Sequence, residues 1–476
     1  MANTSATKHG PPGPAVADGD ISGHDLENSP FVAETGLKAL RISVLGTGYL
    51  GATHAAGLAE LGHEVVGVDV NAERVATLSA ARVPFHEPAL GALLSQHVLA
   101  GRLRFTTDIA SVANWADVHF ICVGTPQRSS SYAADLTALD AAIDSLAGII
   151  RRSTLIVGKS TVPVGTAQRT IERLRQVVPP EIDIGVAWNP EFLREGHAVA
   201  DTMRPDRLVF GVTRECDEAL LRRVYSPLLD RGVPAVVTDL PTAELVKVAA
   251  NSFLATNISF ANAMAEICEV TGADVKELAH ALSFDDRIGG RYLQAGLGFG
   301  GGCLSKDIRG FMARAEELGV DSALAFLRQV DEINMRRRSR MIDLTREVLG
   351  GSVLGHRVAV LGAAFKPDTD DVRDSPALNV AAGLQLAGAQ VRVYDPEAMT
   401  AAKSLFPTLT YAASTDDAVL DAEVVVLLTE WREFLDLDPA ELGDLVAVRR
   451  IVDGRNALTA ATWRAAGWTY RALGRP

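Results

Sequence analysis

Gly46-Thr47-Gly48-Tyr49-Leu50-Gly51 follows the apolar run Arg41-Ile42-Ser43-Val44-Leu45 and leads into a helical pattern that ends near Leu61. A second apolar run, Glu64-Val65-Val66-Gly67-Val68, then ends on Asp69. An isolated glycine turn would explain the first stretch alone. The flanking strand, helix and acid, at the spacing of a βαβ unit, point instead to a dinucleotide fold. In that fold Gly46 permits the tight turn, Gly48 lets a pyrophosphate approach the backbone, and Gly51 lets helix and strand pack. The helix N-terminus faces the phosphates. Asp69 accepts hydrogen bonds from a ribose diol and repels a 2′-phosphate, which favours NAD over NADP.

Further βα pattern follows. The strand Val118-His119-Phe120-Ile121-Cys122-Val123 runs into Gly124-Thr125-Pro126, and Thr154-Leu155-Ile156-Val157-Gly158 runs into Lys159-Ser160-Thr161-Val162-Pro163. Asp183-Ile184-Gly185-Val186-Ala187 runs into Trp188-Asn189-Pro190-Glu191-Phe192-Leu193-Arg194-Glu195-Gly196. Ligands of an open parallel sheet bind at the carboxyl ends of its strands, so these polar loops are expected to line one crevice.

From Thr242 to about Thr271 the pattern is helical, with Lys247 and Asn251 four apart on one face. A lysine among apolar neighbours either snorkels to solvent or aims its cation into a cleft. After Leu349-Gly350-Gly351 a second α/β unit begins, with strands at Arg357–Gly362, Gln390–Asp395, Glu423–Leu428 and Arg450–Asp453. Ser375 or Asp374 is a candidate helix cap, with Pro376 near the helix start. This unit echoes the first but lacks the second and third fingerprint glycines.

Gly296-Leu297-Gly298-Phe299-Gly300-Gly301-Gly302-Cys303-Leu304-Ser305-Lys306-Asp307 crowds five glycines around one cysteine. Such a stretch is too glycine-rich for a helix interior. It reads either as a ligand-gripping loop with a nucleophile whose pKa Lys306 lowers, or as a flexible turn around a buried cysteine. Cys122 and Cys268 fall within a strand and a helix and read as packing residues. With Cys216 and Cys303 they are far apart, which indicates neither a metal site nor a disulfide framework and fits a reducing, cytoplasmic compartment.

The 476 residues suggest two or three domains. A net charge of −13 argues against a nucleic-acid partner. No apolar run is long enough to cross a bilayer. The first thirty or so residues are rich in Gly, Pro, Ser, Asp and Ala, without an apolar signal core, and read as a tail.

Taken together, these motifs resemble the nucleotide-sugar 6-dehydrogenases of the UDP-glucose/GDP-mannose dehydrogenase family. The resemblance covers nearly the whole chain from about Leu40. It rests on the Gly46–Gly51 fingerprint, Ser160–Pro163, Asn189–Gly196, the Lys247/Asn251 pair, Gly298–Asp307, Phe365-Lys366-Pro367-Asp368-Thr369 and Thr429-Glu430-Trp431. It implies an α/β protein of two Rossmann-like doubly wound domains joined by a long central helix. The expected parts are a disordered tail over 1–37, an NAD-binding domain over 38–238, a helical linker and dimerisation domain with the cysteine loop over 239–350, and a UDP-sugar-binding domain over 351–476.

The resemblance further implies a four-electron oxidation of a sugar C6 alcohol to a carboxylate with two NAD, feeding polysaccharide precursors. Cys303 is the implied nucleophile, forming a thiohemiacetal and then a thioester, with Glu191 as acid/base and Lys247 on the C6 oxyanion. Asn251, Thr161 and Asp307 position water and the reacting oxygen. Gly46, Gly48, Tyr49, Leu50, Gly51, Asp69, Arg74, Thr125, Thr161, Glu195, Lys306 and Arg373 are the implied NAD contacts. Phe192, Leu193, Arg194, Glu195, Lys247, Asn251, Arg287, Tyr292, Leu293, Gly300, Lys366 and Arg455 are the implied UDP-sugar contacts, with Arg287 or Arg455 reaching across a homodimer. No metal, nucleic acid or membrane is implied. Ser305 stands where many relatives carry proline, which is expected to loosen the loop, and Gln294 where some carry lysine or asparagine near the uridine. The glycine loop resembles the UDP-glucose and GDP-mannose branches more than the acetylamino-sugar branch, which more often has histidine before the cysteine. Oxidation of UDP-glucose to UDP-glucuronate is the first reading. GDP-mannose or a UDP-N-acetylhexosamine is the second. A non-catalytic nucleotide-sugar sensor is the third, disfavoured because a sensor has no need of the thiol.

Overall fold

A computed structural model describes residues 39–476; the expected tail over 1–37 lies outside the described residues. The first sheet has eight strands: β1 (Arg41–Leu45), β2 (Glu64–Val68), β3 (Leu103–Thr106), β4 (Val118–Ile121), β5 (Thr154–Gly158), β6 (Ile184–Trp188), β7 (Leu208–Gly211) and β8 (Ala235–Thr238). Their order is β3-β2-β1-β4-β5-β6-β7-β8, parallel except for an antiparallel β6–β7 contact at Trp188 and Gly211. β1, β4 and β5 are apolar along nearly their whole length because helices cover both faces. One face packs Ile42, Val44, Phe120 and Leu155 with the helix Tyr49–Glu60. The other packs Leu45, Ile121, Ile143 and Ile156.

The second sheet holds β9 (Arg357–Leu361), β10 (Gln390–Tyr394), β11 (Thr410–Tyr411), β12 (Val424–Leu427), β13 (Arg450–Asp453) and β14 (Thr469–Ala472). All pair in parallel, in the order β11-β10-β9-β12-β13-β14. The order reverses between β1 and β4 in one sheet and between β9 and β12 in the other, which opens a crevice at the strand ends in each. The fingerprint loop after β1 and the Ala363–Ser375 loop after β9 stand at these two points.

The central helix, Leu240–Thr271, connects the halves. Asp239 caps it by accepting a hydrogen bond from the Thr242 N–H at 2.7 Å, and Gly272 ends it at a φ of +75°. A second long helix, Ala325–Val348, packs between it and the second sheet. Ser375, rather than Asp374, caps the helix Pro376–Leu386 through the Leu378 N–H. Among the described residues no helix is long and apolar enough to cross a membrane.

Candidate active site

The fingerprint closes as its spacing requires. A Cβ on Gly51 would lie 1.8 Å from the Gly46 carbonyl oxygen, so only glycine lets the helix start that close to β1. At Gly48 a Cβ would meet nothing within 4 Å, which leaves backbone open to a phosphate at the head of the helix Tyr49–Glu60. Leu50 packs against the core. Asp69 Oδ2 accepts from the Thr47 N–H at 2.8 Å and from Arg74 at 2.9 Å, while Oδ1 accepts the Asn71 N–H at 2.9 Å. Burial raises the Asp69 pKa, but these hydrogen bonds outweigh it and hold the carboxyl below its ordinary range. The open backbone and the ionised acid fit a dinucleotide with a free ribose diol.

Tyr49, in the first turn of that helix, donates its hydroxyl to Glu87, and the Gly196 N–H donates to both at 2.8 Å. The buried Glu87 thereby ties the fingerprint to the Asn189–Gly196 loop. Nothing in the sequence around Pro84-Phe85-His86-Glu87-Pro88 marks this role. Arg207, stacked 3.8 Å over the Phe192 ring, also escapes a motif reading. The Thr125 hydroxyl donates to the Thr161 carbonyl at 2.7 Å, joining the loops after β4 and β5.

The glycine loop is clamped rather than flexible. Asn334, from the helix Ala325–Val348, accepts the Phe299 N–H at 2.8 Å and donates to the Phe299 carbonyl at 3.0 Å. Asn262 accepts the Gly296 N–H at 2.9 Å, and Arg455 donates to the Gly298 carbonyl at 3.2 Å. Gly298 needs its φ of +92°, and a Cβ there would strike Asn334. At Gly300 a Cβ would strike the Asp374 carbonyl, so this loop lies flat on the second sheet's loop. The same Arg455 donates to the Phe365 carbonyl at 2.7 Å. Ser305 does not loosen the loop: it is buried and donates to Asp374 at 2.8 Å, tying the cysteine helix (Leu304–Glu317) to the second half.

Lys247 does not snorkel. Its Nζ lies 3.0 Å from Glu191 Oε1, with side-chain exposures of 6% and 13%. Glu191 also accepts the Leu193 N–H at 2.6 Å. One turn along the central helix, Asn251 donates to Asp307 at 2.6 Å. A cavity of about 30 Å³ lined by Thr161, Lys306 and Asp307 adjoins this carboxylate, room for about one or two waters.

Cys303 is open to the cleft but hemmed in by protein on its other sides. Burial pushes its thiol up to about 12; Glu191, Asp307 and Glu195 add to the rise, and Lys247 opposes it. The expectation that Lys306 activates the thiol therefore fails. The Lys306 ammonium sits 2.8 Å from Asp307 and is paired there, and the sulfur feels instead the cations of Lys247 and Arg373.

Three groups from the second half meet Glu195. Lys366 donates to its main-chain carbonyl, Arg373 pairs with its carboxylate at 3.1 Å, and the Thr369 hydroxyl lies 3.5 Å away. His86 and Glu397 pair at 3.2 Å along the same seam. Burial first, then the Asp371 carboxylate, push Glu195 up to about 7, against the pull of Arg373 and Lys366. A folded-state value above the ordinary one means the folded protein keeps a proton that the unfolded chain releases. Stability therefore falls as pH rises from about 4.5 to about 7 and is level above that. Glu195→Gln should remove a cost of roughly 3 kcal/mol. Its thermal unfolding should match wild type near pH 4.5 and exceed it by several degrees at pH 8. A constant offset across that range would refute the linkage.

Arg287 is on the surface, 89% exposed, and pairs with Asp285. Arg194 is held by Asp201 at 2.6 Å, with Tyr292 nearby. Leu293 is buried beside the loop.

Matches to known proteins agree with this geometry along the chain. Residues 40–229 match the NAD binding domain of the UDP-glucose/GDP-mannose dehydrogenase family, 241–336 its central domain and 359–460 its UDP binding domain. A UDP-glucose 6-dehydrogenase of Rhizobium meliloti is 39% identical over 439 residues, covering 92% of this chain and 100% of the relative. The chain belongs to the UDP-glucose/GDP-mannose dehydrogenase family. Among solved structures, a UDP-glucose dehydrogenase from Pyrobaculum islandicum superposes with a TM-score of 0.85 at 38% identity, covering 93% of this chain and 99% of that one. A UDP-D-ManNAc dehydrogenase of Pyrococcus horikoshii superposes at 0.80 with 28% identity, over 92% and 99%. Membership in the dehydrogenase family assigns the first sheet to NAD and the second to the uridine nucleotide.

Proposed function

We propose that this protein oxidises UDP-glucose to UDP-glucuronate with two NAD⁺ per sugar. The observation that carries the reading is the buried Lys247–Glu191 pair at 3.0 Å, set against a solvent-reachable Cys303 at the carboxyl edge of an NAD-binding sheet. The higher identity to UDP-glucose enzymes than to the ManNAc enzyme supports the sugar.

Gly46–Gly51, Asp69 and Arg74 would hold NAD⁺, which when bound would supply the acceptor for the hydride lost from C6 in each oxidation. Glu191 receives the C6 hydroxyl proton as the aldehyde forms. Lys247 faces the C6 oxygen and balances the negative charge it gains. Cys303 Sγ then bonds to C6, its proton leaves, and the aldehyde oxygen becomes the hydroxyl of a thiohemiacetal. Loss of that hydroxyl proton in the second oxidation gives a thioester. Water held near Thr161, Asn251 and Asp307 adds to it, releasing the acid and restoring the thiol. Lys366, Arg455, Leu293 and the Phe192–Arg194 backbone hold the UDP-sugar, with Gly300 bringing the cysteine loop onto it. Thr125, Lys306, Glu195 and Arg373 border the cofactor.

A homodimer through the central helix accompanies this reading. Phe253, Phe260 and Ile267, seven residues apart, form one exposed apolar stripe. In that dimer the exposed Arg287, paired with Asp285 within one protomer, reaches toward the partner's cleft. The four free cysteines support a reducing cytoplasm.

Purified protein supplied with UDP-glucose and NAD⁺ should yield two NADH per sugar. Turnover with GDP-mannose or a UDP-N-acetylhexosamine, and none with UDP-glucose, would replace the sugar in this reading.

A further inference from the structure

Beneath the acid/base loop lies a charge that the reaction scheme leaves unused. Lys159 follows the carboxyl end of β5, is buried, and makes no ion pair among the described residues. Its Nζ donates to Asn189 Oδ1 at 2.9 Å and lies 3.5 Å from the Tyr225 hydroxyl. That hydroxyl donates to the same Oδ1 at 2.6 Å, and Asn189 Nδ2 donates to the Val209 carbonyl at 2.9 Å. The Phe120 and Tyr225 rings face the ammonium at 6.0 and 5.9 Å.

The titratable groups around it come from four other elements: His54 from the fingerprint helix, Cys122 beyond β4, Glu191 beyond β6 and Lys247 from the central helix. Tyr225 completes the shell. Burial and then Lys159 hold His54 well below its ordinary value, and its Nε2 has no partner among the described residues. Burial pushes Cys122 up to about 12. Both are therefore neutral near pH 7. Burial pushes Lys159 down to about 8, with Lys247 adding and Cys122 and Glu191 opposing. A cation sealed in without a carboxylate costs stability, and a methionine of similar length would fill the space without that cost.

We infer that Lys159 is a positioning residue. With Tyr225 it fixes the Asn189 carboxamide, and through Pro190 the stretch of backbone from which Glu191 meets Lys247. The inference rests on Glu191 being the acid/base. A displaced Glu191 slows proton transfer while leaving both binding clefts as they are.

The test compares full-length Lys159→Met, Lys159→Gln, Tyr225→Phe and Glu191→Gln with UDP-glucose and NAD⁺. Lys159→Met should unfold at or above the wild-type Tm while kcat falls about 10- to 100-fold and KM for both substrates stays within about threefold. Lys159→Gln, whose amide still donates to Asn189, should recover part of kcat, and Tyr225→Phe should lose less than Lys159→Met. Near-wild-type kcat in Glu191→Gln would remove the acid/base reading itself. With Glu191→Gln slow, a wild-type kcat in Lys159→Met would overturn the positioning role alone. A Tm that falls together with kcat, or failure of both neutral variants to fold, would overturn it too, since the lysine would then be structural.

Discussion

Cys303→Ala should stop acid formation while leaving the first oxidation possible, so that NADH per sugar drops from two to one or less. The sulfur is the group that converts an aldehyde into a species with a second hydride to give, and no other described cysteine shares its cleft. With the thiol pushed up to about 12 by burial and the carboxylates around it, it is protonated near neutral pH. Attack at C6 must therefore be coupled to removal of the thiol proton. Lys247 is the neighbour whose charge eases that removal. A serine would not rescue the variant, because a hydroxyl is a still weaker acid. Loss of the covalent route should slow acid formation by at least about 10³-fold, equivalent to about 4 kcal/mol of barrier. Mass spectrometry of the products beside NADH counting reads the outcome. UDP-glucuronate formed at the wild-type rate would end the thioester scheme.

The fold was legible wherever the sequence carried a strong period or a steric demand. Gly46, Gly51 and Asp69 could be read because each answers a requirement of the backbone or of a ribose. β1, β4, β5, β9 and β12 could be read because strands covered on both faces are written as continuous apolar runs. β3, β7, β8, β11 and β14 could not: each is only two to four residues long, and all but β7 lie at a sheet edge, where exposed positions break the apolar run. Contacts between distant segments left no local trace either. Glu87 reaches Gly196, and Ser305 reaches Asp374, across folds that sequence spacing does not encode. The same limit misdirected the reading of Lys306. Adjacency in sequence suggested a cation beside the thiol, whereas the helix that begins at Leu304 turns Lys306 toward Asp307 and leaves the sulfur facing Lys247, fifty-odd residues away.

Lys247→Met tests that arrangement from the other side, and two losses should appear together. Burial is the largest single influence on Lys247 and lowers its pKa, yet Glu191, Cys303 and Asp307 together outweigh it and raise the pKa above the ordinary value. For a lysine raised on folding, the stabilisation is complete below about 10.4 and fades only as pH passes the folded value. Lys247 is thus cationic throughout the working range, and no limb of a pH–rate profile between 6 and 9 belongs to it. Removing the ammonium leaves Glu191, 13% exposed, without its ion pair, which costs about 3–5 kcal/mol of stability. It also removes the charge that faces the C6 oxygen, which should lower kcat by about 10²–10³-fold. KM for NAD⁺ should change little, because Asp69 and the fingerprint lie on other strands. Lys247→Arg restores the charge but not the fit of a compact ammonium, and should recover stability better than rate. The double variant Lys247→Met/Glu191→Gln separates the two losses. Neutralising the stranded carboxylate should return most of the Tm and none of the kcat, a coupling of at least about 2 kcal/mol in the stability cycle. If Lys247→Met kept kcat within tenfold of wild type, the oxyanion role would fall, and the pair would be no more than a buried salt bridge.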